Sequence, residues 1–141
     1  MSAKRVLFLC TGNSCRSQMA DGLINHDFSG RIEACSAGTE PHGLNPKAMQ
    51  VMAELGIDIG NNSSDHISRY DDQNFDYVIT LCGDADDKCP QFFGGVKRQH
   101  IGFDDPPKAV GTEAEVMDVY RRVRDEIRNG LGTFFRHELG E

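Results

Sequence analysis

The sequence predicts an α/β protein built as a three-layer sandwich, with a four-stranded parallel sheet carrying helices on both faces. Two observations predict it. Short apolar runs alternate along the chain with segments whose apolar residues recur at helical spacing. Three of those runs also end in residues that carry chemistry: Cys10, Cys82, and the pair Asp104 and Asp105. In an open parallel sheet the ligand crevice lies beyond the carboxyl ends of the strands, so such residues converge there.

The elements follow in order. RVLFLC (residues 5–10) is a short apolar run bounded by Thr11 and Gly12, and SQMADGLINHDF (17–28) then carries apolar residues at helical spacing. IEACSAGT (32–39) reads as a second strand. PKAMQVMAELG (46–56) reads as a helix with Pro46 in its first turn and Gly56 near its end. YVITLC (77–82) and KRQHIGF (97–103) supply the third and fourth strands. Residues 112–139 form a long terminal helix that Thr112 and Glu115 open as a capping box; Gly130 and Gly132 predict a break or fraying in it. Strand and helix alternating in this way imply parallel pairing and right-handed crossovers. No repeat, low-complexity stretch or linker interrupts the pattern, so residues 1–141 read as one domain.

Composition narrows the class. A chain of 141 residues, 38% hydrophobic and 26% charged, can bury a core without disulfides or metal as staples. Its formal charge of −7, with basic residues scattered among acids, argues against a nucleic-acid partner. No run approaches the roughly 18 apolar residues of a membrane span, and the N-terminus turns polar too soon for a signal peptide. The expectation is a monomeric, cytoplasmic protein with no membrane partner. Five cysteines, an odd number, fit reduced thiols with a chemical role better than a secreted disulfide framework. His26, His42, His66, His100 and His137 lack metal-ligand spacing, and no tightly bound cofactor is expected.

The loop after the first strand is the most informative stretch. Cys10, Thr11, Gly12, Asn13, Ser14, Cys15, Arg16 and Ser17 lead straight into a helix, so backbone N–H groups and the positive end of the helix dipole should face whatever sits there. With Arg16 they suit a tetrahedral oxyanion. The same field would lower the pKa of the Cys10 thiol from about 8.5 toward roughly 3.5–7.5, the range of thiols at helix N-termini. Gly12 allows close backbone approach, and Arg16 can fork onto two oxygens. Asn13 holds the loop by a left-handed conformation or a side-chain bond. Ser17 either donates to the thiolate or simply starts the helix. Cys15 reads as structural and Cys35 as core.

Cys10, Arg16 and Ser17, as C-x5-R-S, resemble the phosphate loop of the low-molecular-weight protein tyrosine phosphatases. The whole chain more closely resembles the thioredoxin-coupled arsenate reductases built on that fold. It carries CTGNSCRSQMA from Cys10, SAG at 36–38, HGLNPKA at 42–48, TLCGDADDKCP at 80–90 and GFDDP at 102–106. The resemblance implies that Cys10 attacks the arsenic of arsenate and that Asp105, which precedes Pro106, is the general acid. Cys82 would then attack the Cys10 adduct, releasing arsenite and leaving a Cys10–Cys82 disulfide. Cys89 would take over Cys82, and thioredoxin would reduce the Cys82–Cys89 pair. Asp104 reads as a turn or capping residue. The resemblance further implies a potassium site whose ligands match Asn13, Asp21, Ser36 and Asp65, with Asp21 standing where relatives tend to carry Glu.

Geometry bears on the two exchanges. With strands one and three adjacent, in the flavodoxin-like order 2-1-3-4, their ends lie about 4.8 Å apart, within the span of roughly 4.4–6.8 Å that a disulfide needs. On one continuous helix Cys82 and Cys89 would stand roughly 10 Å apart, so the segment between them must rearrange. Two rival readings account for less. A tyrosine phosphatase needs Cys10, Arg16 and Asp105 but neither Cys82 nor Cys89, and those enzymes usually place an aromatic after the Asp-Pro, where Pro107 and Lys108 stand here. A non-enzymatic thiol sensor using Cys82 and Cys89 leaves the Cys10 loop unexplained.

Overall fold

A strand whose side chains are apolar on both faces is stable only inside a sheet covered on both sides. Val6, Leu7, Phe8 and Leu9 give β1 (Lys4–Cys10) that character, and none is more than 1% exposed. The computed structural model describes residues 3–70, 73–81 and 97–140. It pairs β1 in parallel with β2 (Ile32–Gly38) on one side and β3 (Tyr77–Thr80) on the other, with β4 (Lys97–His100) beyond β3. The order is β2-β1-β3-β4, the doubly wound, flavodoxin-like arrangement the sequence implies. Cys82 and Cys89 lie outside the described residues.

The pleat divides β1 between two clusters. Val6 and Phe8 face α1 (Arg16–Asp27), α2 (Pro46–Ala53) and α3 (Glu113–Glu138) through Met19, Leu23, Met52, Val123, Ile127 and Phe135. Leu7 and Leu9 face Ala37, Val78, Phe75 and the 3-10 turn Ile67–Tyr70. Phe135 meets Phe8, Phe28 and Tyr77 edge to face at 6.3, 6.0 and 5.5 Å between ring centroids.

Local chemistry sets the helix ends. The Asn45 side chain caps α2, accepting from Lys47 N and Ala48 N at 2.9 and 3.1 Å, with Pro46 just inside. Thr112 and Glu115 form the expected capping box of α3. The break expected at Gly130 and Gly132 is absent: α3 runs unbroken through both. Its apolar stripe of Val123, Ile127, Leu131 and Phe135 is fully buried, and that packing outweighs the roughly 1 kcal/mol that each interior glycine costs. β4 ends at His100, short of the expected residue 103, yet the chain stays on the sheet, because Ile101 N donates to Thr80 O (2.9 Å) and Phe103 N to Leu81 O (3.3 Å).

Candidate active site

In a trans peptide the C=O and the N–H of one unit point in opposite directions. Fixing the carbonyls of a loop on one side therefore aims its amides to the other. Thr11 O accepts from Glu40 N (2.8 Å), Gly12 O from His42 N (2.8 Å), Ser14 O from Asn45 N (3.0 Å) and Cys15 O from Met19 N (2.9 Å). Asn13 O accepts from Ser64 Oγ (2.9 Å) and Gln18 Nε2 (3.1 Å), and Ser64 Oγ also reaches Gly12 O at 3.3 Å. Among the described residues the amides of Gly12, Asn13, Ser14, Cys15 and Arg16 meet no acceptor. Five N–H groups so arranged make an anion-binding nest. The first turn of α1 holds no acid and its N-cap residue, Cys15, makes no side-chain cap, so among the described residues nothing competes for these donors.

Asn13 is the keystone of the loop. Its φ of 44° puts it in the left-handed region that Asn tolerates. Its side chain is used as well: Oδ1 accepts from Ser17 Oγ (2.9 Å) and Gln18 Nε2 (3.2 Å). Both roles open to Asn13 in the sequence are therefore realised. Ser17 gives its one hydroxyl proton to Asn13 Oδ1 and not to the Cys10 sulfur, so it braces the loop rather than serving the thiolate or only starting the helix. The space at Gly12 is taken by His42, whose Nδ1 would stand 3.0 Å from a Cβ there.

Cys10 ends β1 in register with Gly38 and is 5% exposed at the floor of a cleft of about 920 Å³. Gly12, Ser14, Cys15 and Arg16 of the nest, with His42, Asn45, Leu81, His100, Phe103, Asp105 and Lys108, contribute to its walls. Arg16 donates from Nη1 to Phe103 O (3.0 Å), and its Nη2 lies 3.6 Å from Asp105 Oδ2. Its Nε is buried with no acceptor among the described residues. A buried charged donor left open costs about 1–3 kcal/mol or more, a cost an oxyanion in the nest would remove. Cys15, also on the cleft wall, is different: burial pushes its thiol up to about 12, Asp105 adds to the rise, and Arg16 opposes it. It remains a thiol across the physiological range. Asp104 turns out to the rim, where Arg122 holds it at 3.2 Å.

The residues matched to a cation site also come together. Asn13 Nδ2 lies 3.4 Å from both Ser36 O and Asp65 O, and Asp21 Oδ2 accepts from Ser36 Oγ at 3.0 Å. Asp21 accepts its other bond from Asn25 (2.7 Å), and burial pushes its carboxyl up to about 6. Asp65 is instead committed at its carboxylate to Ser63 (2.7 Å) and Arg69 (3.1 Å).

Several contributors were not legible in the sequence. Gln18, inside the CTGNSCRSQMA run but given no role there, and Ser64, outside every motif and far along the chain, hold a loop carbonyl by their side chains. Asn45 holds one with its backbone N–H while its side chain caps α2 and donates to the Tyr120 hydroxyl at 3.1 Å. Gly38 is required by contact, since a Cβ there would stand 2.5 Å from Thr11 O. Its place in SAG was the only hint.

The chain belongs to the low molecular weight phosphotyrosine protein phosphatase family, whose pattern matches residues 5–141. Within that family it is similar to arsenate reductases. The arsenate reductase of Shouchella clausii (strain KSM-K16) is 58% identical over 141 residues, covering 100% of both chains. A solved arsenate reductase in the phosphate binding state superposes with a TM-score of 0.79 at 31% identity, covering 93% of this chain and 95% of that one. A thioredoxin-dependent arsenate reductase of Corynebacterium glutamicum gives a TM-score of 0.67 at 25% identity, covering 94% of this chain and 62% of that longer one.

If the pinned carbonyls aim the nest, removing one pin should loosen it. Ser64→Ala is expected to weaken inorganic phosphate binding by about 2- to 10-fold, the worth of one hydrogen bond, in isothermal titration of the reduced protein. Unchanged affinity would mean that the loop holds its shape without that hydroxyl.

Proposed function

We propose that this arsenate reductase works through a relay of three thiols, Cys10, Cys82 and Cys89. The observation that carries the reading is Cys10 at the strand end, beneath five amides that meet no acceptor among the described residues and an Arg16 whose Nε is still open. Such a cradle reads a tetrahedral dianion by charge and shape. The Cys10 thiolate attacks arsenic(V), and Asp105 gives a proton to the oxygen that leaves as water, producing a Cys10–arsenate thioester. Cys82 attacks the Cys10 sulfur. The new S–S bond forms as the As–S pair passes to arsenic, so two thiols lose two electrons and arsenic(V) leaves as arsenite. Cys89 then attacks Cys82, freeing Cys10, and thioredoxin reduces the resulting Cys82–Cys89 disulfide.

Thioredoxin as reductant is supported by the Corynebacterium relative that is thioredoxin-dependent and by the Cys82 and Cys89 pair, which hydrolysis of a phosphate ester would not require. Among the described residues no helix is long and apolar enough to cross a membrane. Reduced thiols favour the cytoplasm. A monomeric working unit, with the whole relay drawn from one chain, belongs to the same proposal.

Trapping tests the relay. Cys89→Ser should release one arsenite per enzyme and stall, with peptide mapping finding Cys10 joined to Cys82. Cys82→Ser should release none. Repeated turnover of Cys89→Ser with thioredoxin at the wild-type rate would remove Cys89 from the chemistry. Undiminished hydrolysis of an aryl phosphate by both variants, with no arsenite formed, would mark a phosphatase instead.

A potassium ion at the back of the loop belongs to the same proposal. Oxygens of Asp21, Ser36 and Asp65 would hold it, a hard-ligand set that suits such a cation, with Asn13, whose Nδ2 faces Ser36 O and Asp65 O, turning its amide oxygen inward. The hydrogen bonds that Asp21 accepts come from neutral groups, so a cation there would supply its missing counter-charge. Bound, it would stiffen the Asn13 turn. Potassium chloride should then raise the melting temperature above that in choline chloride of equal ionic strength, and Asp21→Ala should abolish the difference. An equal melting temperature in the two salts would contradict the site.

A further inference from the structure

Gly130 sits inside α3, where it neither turns the chain nor ends the helix. Alanine there would have the higher helix propensity, so the bare backbone needs a tertiary reason. The neighbour supplies it. A Cβ on Gly130 would stand 3.2 Å from Phe103 Cζ and 3.4 Å from Cε1, tighter than ordinary packing. Gly132, two residues on, differs: a Cβ there would meet the tip of the flexible Arg136 side chain at 3.1 Å, and that tip can swing away.

Phe103 is held at three points. Its N–H donates to Leu81 O (3.3 Å), its ring lies on Gly130, and its carbonyl accepts from Arg16 Nη1 (3.0 Å). Arg16 is the cation of the cradle, and Asp105, two residues beyond Phe103, lies 3.6 Å from its Nη2. The seat of the ring on α3 therefore fixes where the guanidinium is gripped, and with it where the open Nε sits.

We propose that Gly130 is a positioning residue for oxyanion binding, a slot in α3 that seats the Phe103 ring so that the Phe103 carbonyl holds Arg16 against the nest. The inference rests on Arg16 as an oxyanion ligand and extends that reading to a residue that never touches the anion. A methyl group at position 130 displaces the ring by a few tenths of an ångström, and the carbonyl and guanidinium follow. Misplacement by about 1 Å costs about 100-fold at a catalytic site, so a few-fold effect is expected here.

The test is inorganic phosphate affinity, by isothermal titration of the reduced full chain, for wild type, Gly130→Ala, Phe103→Leu, the Gly130→Ala/Phe103→Leu double variant, and Gly132→Ala. Gly130→Ala should weaken phosphate three- to tenfold, while Gly132→Ala stays within twofold of wild type. In the double variant the shorter leucine side chain leaves room for the methyl, so its affinity should match that of Phe103→Leu alone. The proposal is overturned if Gly130→Ala binds like wild type, or if its loss persists undiminished in the Phe103→Leu background. Should Gly130→Ala fail to fold, the double variant against Phe103→Leu decides: equal affinity supports the slot and a weaker double variant overturns it. Arg16→Lys distinguishes the two levels, since phosphate binding unaffected by that change removes Arg16 as a ligand whatever position 130 does.

Discussion

Everything at this site depends on five peptide carbonyls being held away from the cleft. Each bond that holds them contributes only about 0.5–1.5 kcal/mol net, but together they fix a backbone whose amides meet no acceptor among the described residues. The holders come from separate parts of the fold: Glu40, His42 and Asn45 beyond β2, Ser64 from the loop before the 3-10 turn, and Gln18 and Met19 from α1. The left-handed Asn13 is tolerable because its own amide group is bonded in that geometry. The sheet serves the same end. Gly38, beside Cys10, has no side chain because the loop backbone occupies the place a Cβ would take.

This arrangement explains how a chain of net charge −7 can hold a dianion. The attraction proposed is local, from amide dipoles, a helix N-terminus and one guanidinium at the floor of the cleft. Arg16 does two jobs with different edges: Nη1 and Nη2 face Phe103 and Asp105, and Nε is left over. A thiol placed under the same donors gains as an anion for the same reason the substrate does. Cys15 shows the contrast, since burial beside Asp105 keeps it neutral.

Much of the fold was legible because it is written in local patterns. The apolar runs, Pro46 in the first turn of α2, the Thr112 box and the chemistry at strand ends all depend on neighbours within a few residues. The Cys10 loop was legible for the same reason: a nucleophile, Gly12, Asn13 and Arg16 stand side by side. Its supports were not. Ser64 and Asn45 meet the loop across about 50 and 30 residues of chain, and no spacing rule connects them. Gly130 reads as a breaker in sequence because propensity is a local quantity, whereas the burial of α3 and the seat of Phe103 are tertiary. Asp104 reads as a turn residue, but Arg122 that binds it lies on α3, 18 residues on.

The central claim is that the amides of residues 12–16 are the oxyanion ligands, aimed by carbonyls fixed behind them. Titrating ¹⁵N-labelled reduced protein with inorganic phosphate reads those five N–H groups one by one. The structure predicts downfield proton shifts at Gly12, Asn13, Ser14, Cys15 and Arg16 that saturate together at one affinity. Shifts that miss this loop, or that reach only one or two of its amides while phosphate binds, would contradict it.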